Sequence, residues 1–429
     1  MGKHILIVGG GGREHALARC LDERSTVERI TCAPGNAGTS GLSSCHNIAL
    51  SKTADIVEWA KQNHPDLVLV GPEIPLAQGI ADELQDAGIK VFGPALKSAQ
   101  LESSKAFAKE FMERHGVATA ASRRFDSSDK ARQECGCFGY PVVVKADGLA
   151  AGKGVIICAN EKEAHQAIDE VMVERRFGDA GSVVVLEECL VGWETSLIAV
   201  VDSTGHHMAF PYAQDHKRAG EGDLGLNTGG MGVIAPHPLV TQAVAKDIEQ
   251  NILQPTLKGL VADGLAYPGF LFIGVMVTPQ GAKTLEYNVR FGDPEAQALL
   301  PLFDGDFLSL LEASLEGTLS QIQPQWTGGA SCCVVLASEG YPEKSAPSRP
   351  LSGIQNAEKT GAWVYGAGLG RNEKNELVSQ GGRVLGVTGI AENLEAAREK
   401  AYEGIKQIDL EGGWFRRDIG VASLHNASR

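Results

Sequence analysis

The first feature of this sequence that could do chemistry is a lysine that ends an apolar run and is followed by a glycine-rich stretch. The segment Pro141–Val155 reads PVVVKADGLAAGKGV, so Lys145 closes the run and Lys153 lies in the glycine-rich part. A charged lysine is costly to bury unless an anion compensates it, so a phosphate explains Lys145 better than packing does. A salt bridge to a structural carboxylate is the alternative. The stretch is not a Walker A loop, because Gly154 rather than Ser or Thr follows Lys153.

A second candidate site lies in Thr284–Asp293, which reads TLEYNVRFGD. At the two-residue spacing of a strand, Glu286, Asn288 and Arg290 share one face. A carboxylate and an amide oxygen suit Mg²⁺, which completes its shell with water and substrate phosphate. An arginine on the same face could hold a carboxylate or phosphate through two parallel hydrogen bonds. The pattern predicts a magnesium site beside an anion clamp, although taken alone it also fits an exposed sheet face with a surface ion pair.

Between these two motifs, an acid lies among cations and is followed by a glycine loop. Gln214–Arg218 reads QDHKR and Asn227–Gly232 reads NTGGMG. Asp215 could pair with an ammonium group while the cations and the loop contact a phosphate, so the two segments predict a site for a zwitterion and a phosphate. A solvated loop is the alternative for either segment in isolation.

The amino-terminal glycine cluster is the fourth candidate. The apolar run Ile5–Val8 enters Gly9–Gly12, and a helical composition follows, which indicates a strand, a tight turn and a helix. The dinucleotide pattern G-x-G-x-x-G fails because Glu14 occupies its third glycine position, and no acid ends the second strand. An NAD-dependent dehydrogenase is therefore not expected. The turn could still offer backbone N–H groups to a monophosphate, or it could serve only as a turn.

The elements that position these motifs form a multidomain α/β and α+β chain. Apolar strands alternate with helix-like segments over residues 1–102, which predicts a parallel sheet with ligand loops at its carboxyl edge. Residues 103–325 form a second, α+β body. A segment with proline and glycines at 323–330 is a candidate linker, and residues 326–429 form the last domain.

Composition excludes several classes of function. The chain has 429 residues and a formal net charge of -14, which repels nucleic acid and anionic lipid. It has no apolar stretch of ~18 residues and no signal sequence, so neither a membrane span nor export is expected. An odd number of cysteines, nine, is typical of reduced, cytoplasmic usage. Cys135 and Cys137 have no second Cys or His pair nearby in sequence, so ordinary thiols are expected there rather than zinc.

Seven motifs in order along the chain identify a resemblance. They are GGGREHA at 10–16, APGNAG at 33–38, VGPE at 70–73, VKADGLAAGKG at 144–154, QDHKR at 214–218, NTGGMG at 227–232 and RFGDPE at 290–295. In this combination the chain resembles the glycinamide ribonucleotide synthetase family of the ATP-grasp superfamily. The resemblance implies a Rossmann-like first domain, an ATP-grasp domain with a mobile lid at about residues 120–190, and a small α+β carboxyl-terminal domain.

The resemblance also implies roles for individual residues. The implied catalytic residues are Lys145, Arg290 and Asp215, of which Asp215 and Arg290 would grip the ammonium and carboxylate of glycine. The implied ATP-binding residues are Lys105, Lys145, Gly152, Lys153, Gly154, the hinge residues Glu187, Glu188 and Leu190, and Glu194 for the ribose hydroxyls. The implied substrate-binding residues are Gly11, Gly12, Glu73, Asp215, Lys217, Asn227, Thr228, Gly229, Arg290 and Gly292. The implied metal ligands are Glu286 and Asn288, for Mg²⁺ or Mn²⁺.

The activity implied by the resemblance is an ATP-dependent ligation of glycine to phosphoribosylamine through glycyl phosphate, in a monomer without nucleic acid or membrane partners. Two other classes stay open. Another ATP-grasp ligase would use bicarbonate or formate, against which the ammonium partner Asp215 argues. A catalytically silent ATP-binding regulator would not need the metal face of Glu286 and Asn288. In one respect the chain departs from its relatives, because Leu224-Gly-Leu226 replaces their common Thr-Gly-Pro.

Overall fold

A computed structural model describes residues 2–24, 27–150, 154–344 and 346–427. The described residues up to Ser103 form a parallel β-sheet flanked by helices. Its strands are β1 (Lys3–Gly9), β2 (Val27–Pro34), β3 (Cys45–Asn47), β4 (Leu67–Val70) and β5 (Val91–Phe92). Its helices are α1 (Gly12–Arg24), α2 (Thr53–Asn63), α3 (Glu73–Ala77), α4 (Ile80–Asp86) and α5 (Leu96–Ser103). The predicted parallel sheet is confirmed.

The order of the strands places two of the motif loops side by side. The sheet runs β3-β2-β1-β4-β5, with β1 pairing in parallel with both β2 and β4. Strand β1 is apolar and completely buried over Ile5–Val8, as expected of a parallel strand covered on both faces. The strand order reverses between β1 and β4, and ligands bind at such a switch point. The loops that follow these two strands carry Gly10–Gly12 and Gly71–Glu73.

The next segment forms a small antiparallel sheet with its own core, which we call the β6–β9 subdomain. Helix α6 (Lys105–His115) leads into it. The subdomain comprises β6 (Ser122–Phe125), α7 (Ser128–Glu134), β7 (Val142–Ala146), β8 (Val155–Cys158), α8 (Glu161–Ile168) and β9 (Val184–Glu188). The strand order is β6-β9-β7-β8, so β7 and β9 are the central strands. The subdomain falls within the predicted lid, whose mobility stays a prediction.

A second antiparallel sheet, β11-β10-β16-β17, forms the body of the middle region. The strands of this stretch are β10 (Trp193–Val201), β11 (His207–Ala209), β12 (Gln214–Asp215), β13 (Arg218–Gly220), β14 (Leu224–Asn227), β15 (Gly232–Ala235), β16 (Gly269–Thr278) and β17 (Gly281–Asn288). The helices are α9 (Gln242–Ile248), α10 (Gln254–Ala262), α11 (Glu295–Leu299) and α12 (Phe307–Glu316). Ile5 and Ile7 of β1 share one apolar cluster with Ile198 and Phe270 of this body, so the two are packed as a unit.

The carboxyl-terminal sheet is completed by strands from the middle of the chain. Its order is β12-β15-β18-β23-β20. The remaining strands are β18 (Ala330–Ala337), β19 (Leu351–Ser352), β20 (Trp363–Gly366), β21 (Leu369–Arg371), β22 (Leu377–Ser379), β23 (Arg383–Ala391) and β24 (Asp409–Leu410). The helices are α13 (Ile354–Lys359), α14 (Leu394–Ile405) and α15 (Val421–Ala427). Because β12 carries Asp215, this sheet reaches the candidate site; the boundary between residues 325 and 326 stays a prediction.

No helix in the described ranges is long and apolar enough to cross a bilayer.

Candidate active site

Two buried lysines share one carboxylate between α6, β7 and β9. The Nζ atom of Lys145 lies 2.9 Å from Oε2 of Glu187, and Nζ of Lys109 lies 3.2 Å from the same oxygen. Lys145 also donates to the carbonyl of Leu285 at 3.3 Å. Burial lowers the pKa of Lys109 to about 8, although Glu187 opposes this shift. The salt bridge to a structural carboxylate thus exists, but two cations against one carboxylate leave positive charge for an anion.

Lys105 extends this cationic group at the start of α6. Its Nζ donates to the carbonyl of Gly148 at 2.9 Å, and burial lowers its pKa. The helix start is fixed by Ser104, whose hydroxyl accepts from Phe107 N–H and donates to Asp147. Lys105 and Lys145 are both predicted to contact the ATP phosphates. In the structure both lie near Glu286, whose pKa each of them lowers.

The glycine-rich stretch after β7 is described only in part. The predicted ATP-binding residues Gly152 and Lys153 lie outside the described residues. Gly154 follows the gap, and its carbonyl accepts from Ala146 N–H at 2.8 Å, which closes the β7–β8 connection.

The predicted hinge lies where β9 ends at Glu188. The Glu188 carboxylate accepts from Ala121 N–H at 3.0 Å and from Lys283 Nζ at 3.1 Å, so its side chain ties the two sheets together. Leu190 follows outside the strand. Glu194, expected at the ribose, receives Lys217 Nζ at 2.6 Å in this structure. The contacts of Glu188, Leu190 and Glu194 with a nucleotide stay predictions.

The predicted metal ligands share one face of β17. Glu286 pairs in register with Gly274 of β16, and Asn288 pairs with Phe272. The Glu286 side chain is exposed, and within the described chain no hydrogen bond or ion pair engages its carboxylate. Loss of part of its surrounding water would raise the pKa of Glu286, but the nearby lysines and Arg290 lower it. The Asn288 side-chain oxygen accepts from Arg290 at 3.1 Å. Carboxylate and amide oxygens are the donors that Mg²⁺ takes, and the Asn288 oxygen keeps a second lone pair beside its bond to Arg290, so the residues fit this metal.

Arg290 links the metal face to the first domain. Its guanidinium lies 2.9 Å from Glu102 Oε1 and 3.5 Å from Glu73 Oε2. Burial alone would lower the pKa of Arg290, but the carboxylates of Glu102 and Glu73 raise it. The glutamates hold Arg290 in a defined position beside Asn288, at the carboxyl edge of the parallel sheet.

Asp215, which is half-buried, and Glu295, which is buried, form a pair of acids beside a small cavity. The cavity of about 10 Å³ is lined by Glu194, Thr195, Ser196, Asp215, Lys217 and Gly274. Oδ1 of Asp215 is buried, and within the described residues it has no hydrogen-bond partner. Burial and then the Glu295 charge raise the pKa of Asp215, and burial raises that of Glu295. A cation placed between these acids would allow both to ionise.

The predicted glycine loop packs directly on Asp215. A side chain at Gly230 would place its Cβ 2.6 Å from Asp215 Oδ1, and its φ of 107° favours glycine. Thr228 donates both its N–H and its hydroxyl to the carbonyl of Lys217, at 2.8 and 2.9 Å. Gly229 N–H donates to the Tyr341 hydroxyl at 3.1 Å, and the Gly229 carbonyl accepts from Arg383. Two residues of the last domain therefore fix this loop.

The hairpin β13–β14 carries the remaining predicted residue, Asn227, on its exposed strand β14. Leu224 and Leu226, at which the resemblance implied a departure, are also exposed there, by 69% and 52%. The departure thus lies on the solvent side of the hairpin rather than in the core.

The amino-terminal glycine turn meets the end of the RFGDPE motif. A Cβ at Gly12 would lie 2.3 Å from Gln297 Nε2, and one at Gly11 would lie 3.3 Å from Asp293 Oδ2. The Gly11 N–H donates to Glu14 Oε2 at 2.6 Å. A Cβ at Gly292 would lie 2.2 Å from Glu295 Oε2. These glycines allow the first domain, the RFGDPE motif and the acid pair to approach closely.

The fold brings Lys105, Lys145, Lys217 and Arg290 together around Glu286, and it adds residues to which the sequence motifs did not point. Lys109 had a usable signal, because it lies four positions after Lys105 on one helical face. No local sequence signal pointed to Glu102 or Arg383, because their partners are far away in the sequence. Arg383 pairs with Asp293 at 3.3 Å, which helps to lower the pKa of Asp293 against the effect of burial.

Three family models match consecutive parts of the chain. The phosphoribosylglycinamide synthetase N domain matches residues 3–102, its ATP-grasp (A) domain matches residues 103–296, and its C domain matches residues 331–422.

Individual proteins agree with these models. A phosphoribosylamine–glycine ligase from Nostoc sp. is 46% identical over 97% of this chain and 98% of its own length. The crystal structure of such a ligase from Thermotoga maritima superposes with a TM-score of 0.85 at 32% identity, covering 97% of this chain and 100% of that chain. A biotin carboxylase domain from Hydrogenobacter thermophilus, in complex with MgADP, ADP and bicarbonate, shares the fold at 18% identity, with a TM-score of 0.73 and coverage of 100% and 99%. The chain therefore belongs to the phosphoribosylglycinamide synthetase family.

Proposed function

We propose that the chain is an ATP-dependent ligase that joins glycine to 5-phosphoribosylamine and releases glycinamide ribonucleotide, ADP and phosphate in purine biosynthesis. Asp215 carries the choice of glycine, because this acid lines a small cavity beside the cationic cleft and its Oδ1 has no hydrogen-bond partner among the described residues. Neither bicarbonate nor formate offers a cation to this acid pair. The name of the Nostoc relative supports the same reading.

The ATP phosphates would lie against the lysines of α6 and β7. Lys105 and Lys145 lie near Glu286, and Lys109 adds a further positive charge at Glu187. We infer that Glu286 and Asn288 would hold Mg²⁺ or Mn²⁺. When bound, that cation would neutralise charge on the transferring phosphoryl group.

Glycine would bind with its ammonium group at Asp215 and Glu295. An ammonium there offsets the repulsion between the two carboxylates and supplies donors to the unpartnered oxygen. Holding the group as an ammonium also keeps the glycine nitrogen from attacking its own acyl phosphate. Arg290 lies at the other end of this region, where a residual donor could face the glycine carboxylate.

Phosphoribosylamine would approach from the carboxyl edge of the parallel sheet. Gly11, Gly12 and Glu73 lie in the two loops at the switch point, and Glu73 is held by Arg290. Gly230, which follows the loop Asn227–Gly229, packs on Asp215, and Gly292 packs on Glu295. An amine presented there would reach an acyl group formed between Asp215 and Lys145.

The chemistry would proceed in two transfers without a covalent enzyme intermediate. The glycine carboxylate attacks the γ-phosphorus, and the bond to ADP breaks to give glycyl phosphate. The amine of phosphoribosylamine then attacks the acyl carbon, phosphate leaves, and the nitrogen loses a proton as the amide forms. Lys145 would stabilise charge on the phosphoryl oxygens, and closure of the β6–β9 subdomain would exclude water from the acyl phosphate.

The composition supports a cytoplasmic protein that acts on small molecules. Its net charge of -14 disfavours nucleic acid, and all nine cysteines are free. The monomeric state stays a prediction.

The test is Mg²⁺-dependent release of ADP from ATP, with phosphoribosylamine generated in situ. Release that requires glycine and phosphoribosylamine together supports the proposal. Release with bicarbonate or formate in place of glycine would assign the chain to another ATP-grasp reaction. Binding of ATP without turnover under any of these conditions would favour the regulator.

A further inference from the structure

Three side chains with metal-binding chemistry meet in the β6–β9 subdomain, away from the ATP cleft. The candidate ligand atoms of Cys135, Glu161 and His165 all lie within 4.8 Å of one another. Cys135 ends helix α7, while Glu161 and His165 belong to α8. We propose that these three residues form a binding site for a transition-metal dication of the Zn²⁺ class, with one coordination position left for water.

The local structure favours this set of ligands. Glu161 and His165 are four positions apart, so they project from the same face of α8, and their Oε1 and Nε2 atoms are 3.9 Å apart. Cys135 approaches that face from the neighbouring helix α7, and its thiol is buried. The site therefore has a fixed sulfur ligand opposite a helical pair.

The geometry requires only small movements. Tetrahedral zinc bonds of about 2.0–2.3 Å place neighbouring ligand atoms roughly 3.5 Å apart. The side chain of Glu161 is 72% exposed and that of His165 is 39% exposed, so both can close on a metal that enters from solvent. His165 Nε2 lies 3.2 Å from the Arg132 carbonyl, and this contact would be exchanged for the metal bond.

The charges balance on binding. A thiolate, a carboxylate and a neutral imidazole carry two negative charges, which match a dication, and the thiol proton passes to water. The Tyr140 hydroxyl lies 3.3 Å from the Cys135 sulfur, where it can donate to the thiolate. Sulfur and imidazole ligands select Zn²⁺ and its neighbours over Mg²⁺, which prefers oxygen. The Mg²⁺ of the ATP reaction would not compete for this site.

The position of the site suggests a structural role. Cys135 packs in the same apolar cluster as Val142 and Val144 of β7 and Leu186 of β9. Lys145 and Glu187 are the next residues on these two strands. A metal that joins α7 to α8 would therefore fix the helices against the sheet that carries the shared lysine–carboxylate pair.

The test is a titration of the reduced, full-length protein with Co²⁺, followed by displacement with Zn²⁺. One equivalent of Co²⁺ is expected to produce a thiolate-to-cobalt absorption band, which oxygen-only sites do not give. The band should be lost in C135S and in H165Q, reduced in E161Q, and removed by Zn²⁺. C137S is the matched control, because Cys137 is an exposed thiol two positions away, and it should keep the band.

The site is refuted if the wild-type protein gives no saturating band, if the band survives C135S or H165Q, or if C137S abolishes it. Because Cys135 is buried and C135S could unfold the subdomain, H165Q provides an independent test at a partly exposed position. As a second readout, Zn²⁺ should raise the unfolding temperature of the wild-type protein and of C137S, but not of H165Q.

Discussion

The Nζ atom of Lys145 lies 2.9 Å from Oε2 of Glu187, within the central strands of the β6–β9 subdomain. The same oxygen also holds Lys109 at 3.2 Å. One carboxylate thus positions two lysines, of which only Lys145 is expected at the ATP phosphates. This arrangement allows their roles to be separated experimentally.

Replacing Lys145 with methionine should lower the rate of ADP formation by about 10²-fold, the typical effect of removing one group that stabilises transition-state charge. The carboxylate of Glu187 would keep Lys109 as a partner, so thermal unfolding should change little. The measurement is glycine-dependent ADP release alongside thermal unfolding. Lys109→Met is the matched control, because it also leaves Glu187 with one lysine. Equal loss of turnover in the two variants would contradict the assignment.

Glycine binding should depend on pH through Asp215. Burial and Glu295 raise the pKa of this carboxyl well above its ordinary value of 3.8, and only its ionised form pairs with an ammonium group. The KM for glycine should therefore fall as the pH rises through the raised pKa. Asp215→Asn should have a higher KM that lacks this dependence. A wild-type KM that is constant from acidic to neutral pH would exclude this role.

The same pKa shift predicts a change in stability without substrates. Above pH 3.8 the folded chain keeps a proton on Asp215 that the unfolded chain has lost. Stability should therefore fall as the pH rises from 3.8 through the raised pKa. Urea unfolding at several pH values should give a flatter profile for Asp215→Asn than for the wild type.

Gly230→Ala should impair the glycine site. Its Cβ would lie 2.4 Å from Pro294 Cδ and 2.6 Å from Asp215 Oδ1, so the loop must move. The positive φ adds roughly 1–2 kcal/mol of backbone strain. Gly222→Ala is the control, because Gly222 also has a positive φ, of 69°, but has open space at its Cβ. Both variants should lose stability, whereas only Gly230→Ala should raise the KM for glycine.

Arg416 should position the β13–β14 hairpin. Its side chain, 2% exposed, donates to the Arg218 carbonyl and pairs with Asp223 and Asp418 at 2.8 and 2.7 Å. Arg416→Met should lower the free energy of unfolding by about 3 kcal/mol, the lower end for breaking a buried pair, since Asp223 is largely exposed. It should also raise the KM for glycine, because the hairpin adjoins Lys217, which lines the cavity beside Asp215. Urea unfolding and steady-state kinetics measure these effects. Arg417→Met is the control, because Arg417 is adjacent to Arg416 and exposed. It should change the free energy of unfolding and the KM no more than an ordinary surface substitution does.

Local sequence was enough to predict individual strands and helices and the types of side chain at the site. The apolar run Ile5–Val8 before the glycine cluster correctly predicted a strand, which is β1, and the segment after the cluster correctly predicted a helix, which is α1. Two-residue spacing placed Glu286 and Asn288 on one face of β17 because side-chain direction alternates along any strand. Motif order was sufficient to indicate the family. These properties are local, so neighbouring residues encode them.

The tertiary structure decided which charges meet. Glu102 clamps Arg290, Glu187 joins Lys109 to Lys145, and Arg383 fixes the loop at Gly229. The spacing of Cys135 and Cys137 gave no metal prediction, yet helix packing places Glu161 and His165 beside Cys135. Electrostatic energies depend on distance and burial in space rather than on separation along the chain. These partners therefore emerged only once the sheets and helices were packed together.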